Sequence, residues 1–182
     1  GGQSLSDREI ADFLVLLLLG GLETTTHLIA TTLLFLADRP GELAALRADP
    51  SLVPRFLEEM LRYDGPSHSL PRFTTEDVTL AGVTIPRGAL VLALVASANR
   101  DERKYPDPDR FDLRRESHGG LQFGHGIHFC IGAALARMEA RAALEAVLAK
   151  YARIERVPGE ICYNRTMTVR GPVAARLRFV PG

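Results

Sequence analysis

FGHGIHFCIG, residues 123–132, surrounds one cysteine with three glycines, two histidines and two phenylalanines. AALARMEARAALEAVLAKY follows at once, residues 133–151, with the periodicity of an amphipathic helix. A cysteine that only fills core volume needs none of these neighbours. Cys130 sits just before the N-terminus of the predicted helix, where backbone N–H groups and the dipole favour a thiolate. Gly124, Gly126 and Gly132 permit tight turns and the close approach of a flat ligand. A thiolate in such a loop, with no partner cysteine, suits one metal already held by other atoms. Two other chemistries compete. His125, His128 and Cys130 could bind zinc, but a fourth ligand at sensible spacing is missing. Cys130 could be a nucleophile with a histidine base, but no local residue supplies the orienting third group.

The 182 residues are enough for one domain with a real core. Of these, 46% are apolar and 24% charged, which points to a globular chain rather than a disordered one. The 22 basic and 22 acidic side chains balance, so bulk charge makes no case for nucleic acid or an anionic membrane. Two cysteines make no disulfide framework, and a reducing, cytoplasmic compartment fits better. The most apolar run, residues 13–22, has ten residues against the roughly 20 that cross a bilayer. The opening GGQ joins no element and reads as a scar or a cut point.

LSDRE predicts a helix start, with Ser6 as cap and Glu9 at the capping-box position. That helix is expected to run to about Ala37. Being apolar nearly all round at its centre, it should cross the interior. Pro40 and Gly41 open a short helix through Arg47, and VPRFLEEMLRY gives another, ended by DGP. Residues 72–98 turn to a β pattern, with turns at Ala81-Gly82 and at residues 86–88. A polar, proline-bearing meander fills residues 99–120, and loops of that length are usually functional. Residues 161–180 read as short strands around a turn at Arg170, Gly171 and Pro172. The expected class is mainly α with small β-sheets, an α+β arrangement.

Two further patterns carry chemistry. Gly20 and Gly21 each cost about 1 kcal/mol against alanine in a helix interior. Glu23 and Thr24 then put an acid and a hydroxyl into an apolar stretch. The plain explanation is a surfacing helix whose threonines bond back to carbonyls. The functional one is a helix thinned for a ligand, with an acid–alcohol pair delivering protons. Glu59 and Arg62 lie three apart on one helical face, a spacing that is also common among surface pairs.

Taken in order, these motifs resemble the cytochrome P450 family of haem-thiolate monooxygenases, of the soluble bacterial type. GGLETT is similar to the family's oxygen-binding motif, with Gly20 where alanine is commoner. EEMLR carries its Glu-x-x-Arg, ANRDERKYPDPDRFD its meander, and FGHGIHFCIGAALARME its cysteine loop. The resemblance implies that Cys130 is the proximal ligand to the iron of haem b (iron protoporphyrin IX), its electron push favouring O–O cleavage. It implies that His128 and Arg72 hold haem propionates, and His128, where membrane-bound relatives usually carry arginine, suggests a bacterial member. Phe123 would pack by the thiolate, within the loop shaped by Gly124 and Gly132. Thr24 and Glu23 would manage protons to dioxygen, and Gly20 and Gly21 would make room over the haem. Arg110 would complete a buried triad with Glu59 and Arg62.

His27 is expected chiefly to pack, one turn beyond Glu23. Cys162 is expected to be a plain strand residue. Arg100, Arg103, Arg114, Arg115 and Arg137 are expected to form a solvated face, some of them docking an acidic, ferredoxin-like electron donor. No G-x-G-x-x-G follows a strand, so electrons should come from outside the chain. The resemblance covers the whole chain but only the C-terminal half of the family. An N-terminal part is therefore expected to complete the domain. Possible substrate contacts are Leu16, Leu17, Ser67, His68, Ser69, Leu70 and Met167, which suggest an apolar small molecule. The implied function is oxidation of such a molecule by activated dioxygen. The rivals are a catalytically silent partner protein of the same fold and a peroxide-driven peroxygenase; intact Cys130, Glu23 and Thr24 argue for the dioxygen enzyme.

Overall fold

The computed structural model describes residues 4–116 and 120–182. The expectation about GGQ therefore lies outside the described residues, as does the part of the meander at residues 117–119.

Helix α1 (Asp7–Asp38) starts at the predicted cap. Glu9 N donates to Ser6 Oγ at 3.4 Å, and Ser6 N donates to Glu9 Oε2 at 2.8 Å, which completes the capping box. Helices α2 (Pro40–Ala48) and α3 (Val53–Asp64) each carry proline in the first turn, where its missing N–H costs nothing. Helix α5 (Ala133–Lys150) follows the cysteine loop. The core lies where these four helices meet. Leu28, Phe35 and Leu36 of α1 meet Leu43 and Leu46 of α2, Phe56 and Met60 of α3, and Leu144 of α5. Phe35, Phe56, Tyr63 and Phe111 add a ring cluster, with Phe35 and Phe111 centroids 4.4 Å apart. Phe111 thereby anchors the meander to the helices.

Among the described residues the strands form four two-stranded antiparallel sheets. Strand β1 (Leu70–Phe73) pairs with β4 (Leu90–Ala93), and β2 (Val78–Leu80) with β3 (Val83–Ile85). The predicted turn between β2 and β3 has Ala81 at φ 47° and Gly82 at φ 80°, both in the left-handed region that a two-residue hairpin requires. Strand β5 (Tyr151–Arg156) pairs with β8 (Leu177–Pro181), and β6 (Cys162–Tyr163) with β7 (Pro172–Ala174). Cys162 is thus a strand residue.

Three expectations need correcting. Val95–Ala98 is a short helix, α4, not the end of a strand. Asn99 N closes it onto Val95 O at 2.9 Å, and Val95 turns into the core. Strand β5 begins where α5 ends and was not foreseen. Helix α1 does not cross an interior along its whole length: residues 4–22 are exposed and burial starts at Thr25. Leu16, Leu19 and Leu22 are 62%, 71% and 67% exposed. Among the described residues nothing packs over that half. By length and composition α1, with its 32 residues, could cross a membrane. Its second half is instead part of the core.

Candidate active site

The cysteine loop is held by its own backbone. Gly124 N donates to Leu121 O at 2.8 Å, Phe129 N to Gly126 O at 2.9 Å, and Cys130 N to Phe123 O at 2.9 Å. Gly124 and Gly126 stand at φ 75° and 71°, a conformation that L-residues rarely adopt. Gly132 caps α5, and a Cβ there would lie 3.9 Å from Cys130 Sγ. Cys130 is a free, exposed thiol two residues before that cap. Phe123 packs its ring against the core edge and under the guanidinium of Arg137, 4.3 Å from its centroid. The hydrogen bond to Glu58, and then the charges of Glu58 and Cys130, hold Arg137 above its ordinary pKa against the pull of burial. Arg137 thus places a positive charge near the thiol.

Around Cys130 the surface is apolar. Ile127 is 98% exposed, Ile131 80% and Phe129 53%. Leu70 of β1 borders the same loop, its Cδ1 lying 3.8 Å from where a Cβ on Gly124 would sit. Arg72, two residues along β1, and His128 are both exposed. A Cβ on Gly20 or Gly21 would meet nothing within 4 Å. One free thiol, an apolar surface, two basic side chains and open space over α1 fit iron protoporphyrin. Its ring nitrogens supply four iron ligands, its faces are apolar and its propionates are anionic. The zinc alternative gains nothing: among the described residues no group of three or more His, Cys, Asp or Glu could hold a metal ion.

On α1, Thr24 Oγ1 donates to Gly20 O at 2.7 Å and Thr26 Oγ1 to Leu22 O at 2.6 Å. The back-bonding of a plain helical threonine is therefore present at Thr24, the hydroxyl expected to handle protons. Glu23 is half exposed, and its Oε1 lies 3.3 Å from His27 Nε2 and 3.0 Å from Asn164 Nδ2. His27 packs, as expected, but it also touches the acid. Asn164 had no local signal, because its loop reaches α1 only through the tertiary fold.

Glu59 and Arg62 form a buried bidentate pair, both bonds 2.8 Å long. Arg62 also donates to the carbonyls of Asn99, Pro108 and Arg110 at 3.1, 2.8 and 3.2 Å. The third side chain is Arg115, not Arg110. Arg115 Nε donates to Glu59 Oε1 at 3.1 Å, and its other nitrogens reach Pro106, Asp107 and Arg110 carbonyls. Among the described residues Arg110 contributes only a carbonyl here, and the residue is exposed. The meander turns at Asp107, at φ 47°, and that turn directs carbonyls rather than the Arg110 side chain at α3. Arg115 and Arg100 thus leave the expected solvated face. Arg100 Nη2 donates to Tyr63 O at 2.6 Å.

The proposed substrate contacts separate. Leu16 and Leu17 are exposed on α1, and Met167 is 70% exposed. Ser69 is buried and spends its hydroxyl on Met167 O at 2.6 Å, so it has no surface to offer a ligand. Ser67 bridges to Val169 in an isolated antiparallel pair. His68 lines a cavity of about 330 Å³ with Asp64, Arg100 and Arg170, which Gly20 and Glu23 do not border. A larger cavity of about 420 Å³ lies between α3, α5 and the meander, also away from Gly20 and Thr24.

The family model for cytochrome P450 matches residues 1–177. The chain is 45% identical over 184 aligned positions to cytochrome P450 monooxygenase PikC of Streptomyces venezuelae, covering 100% of this chain and 44% of that protein. It is 45% identical to the vitamin D(3) 25-hydroxylase of Pseudonocardia autotrophica, over 93% of this chain and 43% of that one. The solved structure of cytochrome P450 CYP109Q5 from Chondromyces apiculatus superposes with a TM-score of 0.94 at 46% identity, covering 100% of this chain and 47% of that one. The chain spans less than half the length of each of these three relatives.

Proposed function

We propose, since the chain belongs to the cytochrome P450 family, that it is the haem-carrying part of a monooxygenase that oxidises an apolar small organic molecule. The observation that carries this is the Cys130 loop: a free thiol before a helix cap, in a backbone shaped by two left-handed glycines. Haem, when bound, supplies the site at which dioxygen is activated for insertion of one oxygen atom into the substrate. Cys130 would hold the iron through its sulfur, beside the N-terminus of α5 and the guanidinium of Arg137. Arg72 and His128 hold the propionates through charge-assisted hydrogen bonds. Gly20 and Gly21 leave the space over α1, while Thr24 and Glu23 hold protons beside it. Glu59, Arg62 and Arg115 tie the meander to α3 and so support the wall behind the loop.

Leu16 and Leu17 give the pocket an apolar lining, in keeping with a relative named for vitamin D(3). Electrons come from a separate acidic donor of the ferredoxin type. Arg55, Arg137 and Arg141 border the cavity beside α5 and would steer it. An N-terminal part of the same protein covers the exposed half of α1. Two unpaired cysteines agree with the cytoplasm.

The test is the absorption spectrum of the full-length protein. Its reduced carbon monoxide complex should show the strongly red-shifted Soret band of thiolate ligation, and Cys130→Ala should remove it. A band that survives this substitution overturns the reading. A thiolate band without substrate oxidation favours the silent partner. Turnover with peroxide and none with dioxygen favours the peroxygenase.

A further inference from the structure

We infer that His27 and Asn164 form a clamp that sets the position of the Glu23 carboxylate. They are thus positioning residues for the proton-handling acid. The inference rests on the reading of Glu23 given above. It is carried by a buried histidine whose one hydrogen-bond partner among the described residues is that acid.

His27 is 7% exposed, and its Nδ1 is buried with no hydrogen-bond partner among the described residues. A buried N–H without an acceptor is rarer and costlier than a buried lone pair without a donor. The ring therefore presents its N–H from Nε2. That nitrogen lies 3.3 Å from Glu23 Oε1 and donates to it.

Asn164 Nδ2 donates to the same oxygen at 3.0 Å and also to Val169 O at 3.0 Å. Its own position is fixed by a reciprocal pair with Gly171: Gly171 N donates to Asn164 Oδ1 at 2.9 Å, and Asn164 N to Gly171 O at 3.1 Å. Gly171 in turn presses on the histidine. A Cβ there would lie 2.0 Å from His27 Cγ, so only glycine fits beside the ring. One loop thus fixes both donors, Asn164 directly and His27 by packing.

Both bonds fall on Oε1. Oε2 is left without a partner among the described residues and is free to exchange a proton. A long, half-exposed glutamate on an apolar helix has several rotamers of similar energy. Two fixed donors select one of them, and the orientation of the acid relative to Thr24 follows.

The test uses the full-length holoenzyme and has two readouts. The first is the position of the Glu23 carboxylate in crystal structures of the wild type and of His27→Leu. The clamp predicts one conformer in the wild type and a displaced or spread carboxylate in the variant. The second is product formed per reductant consumed. His27→Leu should lower it by about threefold or more, the range of one lost hydrogen bond. His27→Gln, which puts an amide nitrogen near the place of Nε2, should restore it. In a Glu23→Gln background, His27→Leu should add no further loss. A carboxylate that stays in place with an unchanged yield overturns the clamp, as does an equal loss in both backgrounds. If His27→Leu does not fold, Asn164→Ala removes the second donor, while the backbone bond from residue 164 N to Gly171 O still holds Gly171 beside the histidine; the same outcomes apply. If the protein lacks a thiolate band, the monooxygenase reading falls by itself. The carboxylate position needs no turnover and still decides the clamp.

Discussion

Arg62 grips Glu59 with two parallel hydrogen bonds of 2.8 Å, from one turn further along α3, and only 4% and 6% of the two side chains is exposed. Taking two charges out of water is expensive, and their attraction repays it only when the remaining polar atoms are also satisfied. Here they are. Glu59 Oε1 also accepts from Asp112 N at 2.9 Å and from Arg115, while Arg62 holds three carbonyls. The pair converts a helix face into a socket for a meander that has no regular structure of its own.

Removing one partner should leave a buried charge alone. Glu59→Ala or Arg62→Ala should destabilise the protein by about 3–5 kcal/mol. The two arginines of the meander separate the network seen here from the one the sequence suggested. Arg115→Ala should cost about 1–3 kcal/mol, whereas Arg110→Ala should stay within about 0.5 kcal/mol. Chemical denaturation of the full-length protein measures all four. Equal effects at Arg110 and Arg115 would contradict the assignment.

The cysteine loop gives a conformational prediction. Gly124 stands at φ 75°, and a Cβ there would make only ordinary contacts, 3.6 Å from His128 O and 3.8 Å from Leu70 Cδ1. The cost of Gly124→Ala is therefore backbone strain, about 1–2 kcal/mol, rather than a clash. The strain falls on the segment that presents Cys130. Haem should then be lost faster to a competing apoprotein while the helical core melts nearly as before. Unchanged haem retention would mean that the loop tolerates another conformation.

His68 gives a pH prediction. Burial first, then the positive charge of Arg170, lowers its pKa below the ordinary histidine value, against a smaller opposite pull from Asp64. In the window between the lowered folded value and about 6.5 the unfolded chain binds more protons than the folded one. Stability contributed by the neutral ring is full above that window and is lost as pH falls through it. The melting temperature of His68→Gln should change less between pH 7 and pH 5 than that of the wild type. Parallel curves would show that the ring does not titrate differently on folding.

What could be read from the chain was local. Ser6 and Glu9 define a helix start within four residues, and the structure has both bonds of the box. The Ala81-Gly82 turn needs only its own dihedrals. The errors share a cause, which is tertiary competition. Strand β5 follows α5 without a break, and its pairing with β8 depends on residues more than twenty positions away. Val95–Ala98 has strand-like neighbours, but short-range carbonyls and the burial of Val95 make it helical. Arg110, Arg114 and Arg115 are equivalent by spacing, and only the turn at Asp107 selects Arg115. Asn164 meets Glu23 across 141 positions, which no motif encodes.

The exposed half of α1 gives the last prediction. The chain of 19.9 kDa has 12123 Å² of accessible surface, against about 8700 Å² for a compact monomer of that mass. Much of the excess is apolar. Phe13, Leu14, Leu16, Leu18, Leu19 and Leu22 are all at least 40% exposed. A continuous patch of this kind on a soluble monomer drives association. Residues 1–182 expressed alone should therefore self-associate and bind an environment-sensitive apolar dye. Joined to the proposed N-terminal part, they should be monodisperse and lose the dye signal. Light scattering and dye fluorescence on the two forms decide it. A monodisperse, dye-silent 182-residue monomer would mean that α1 covers its own apolar face by a rearrangement absent from this fold.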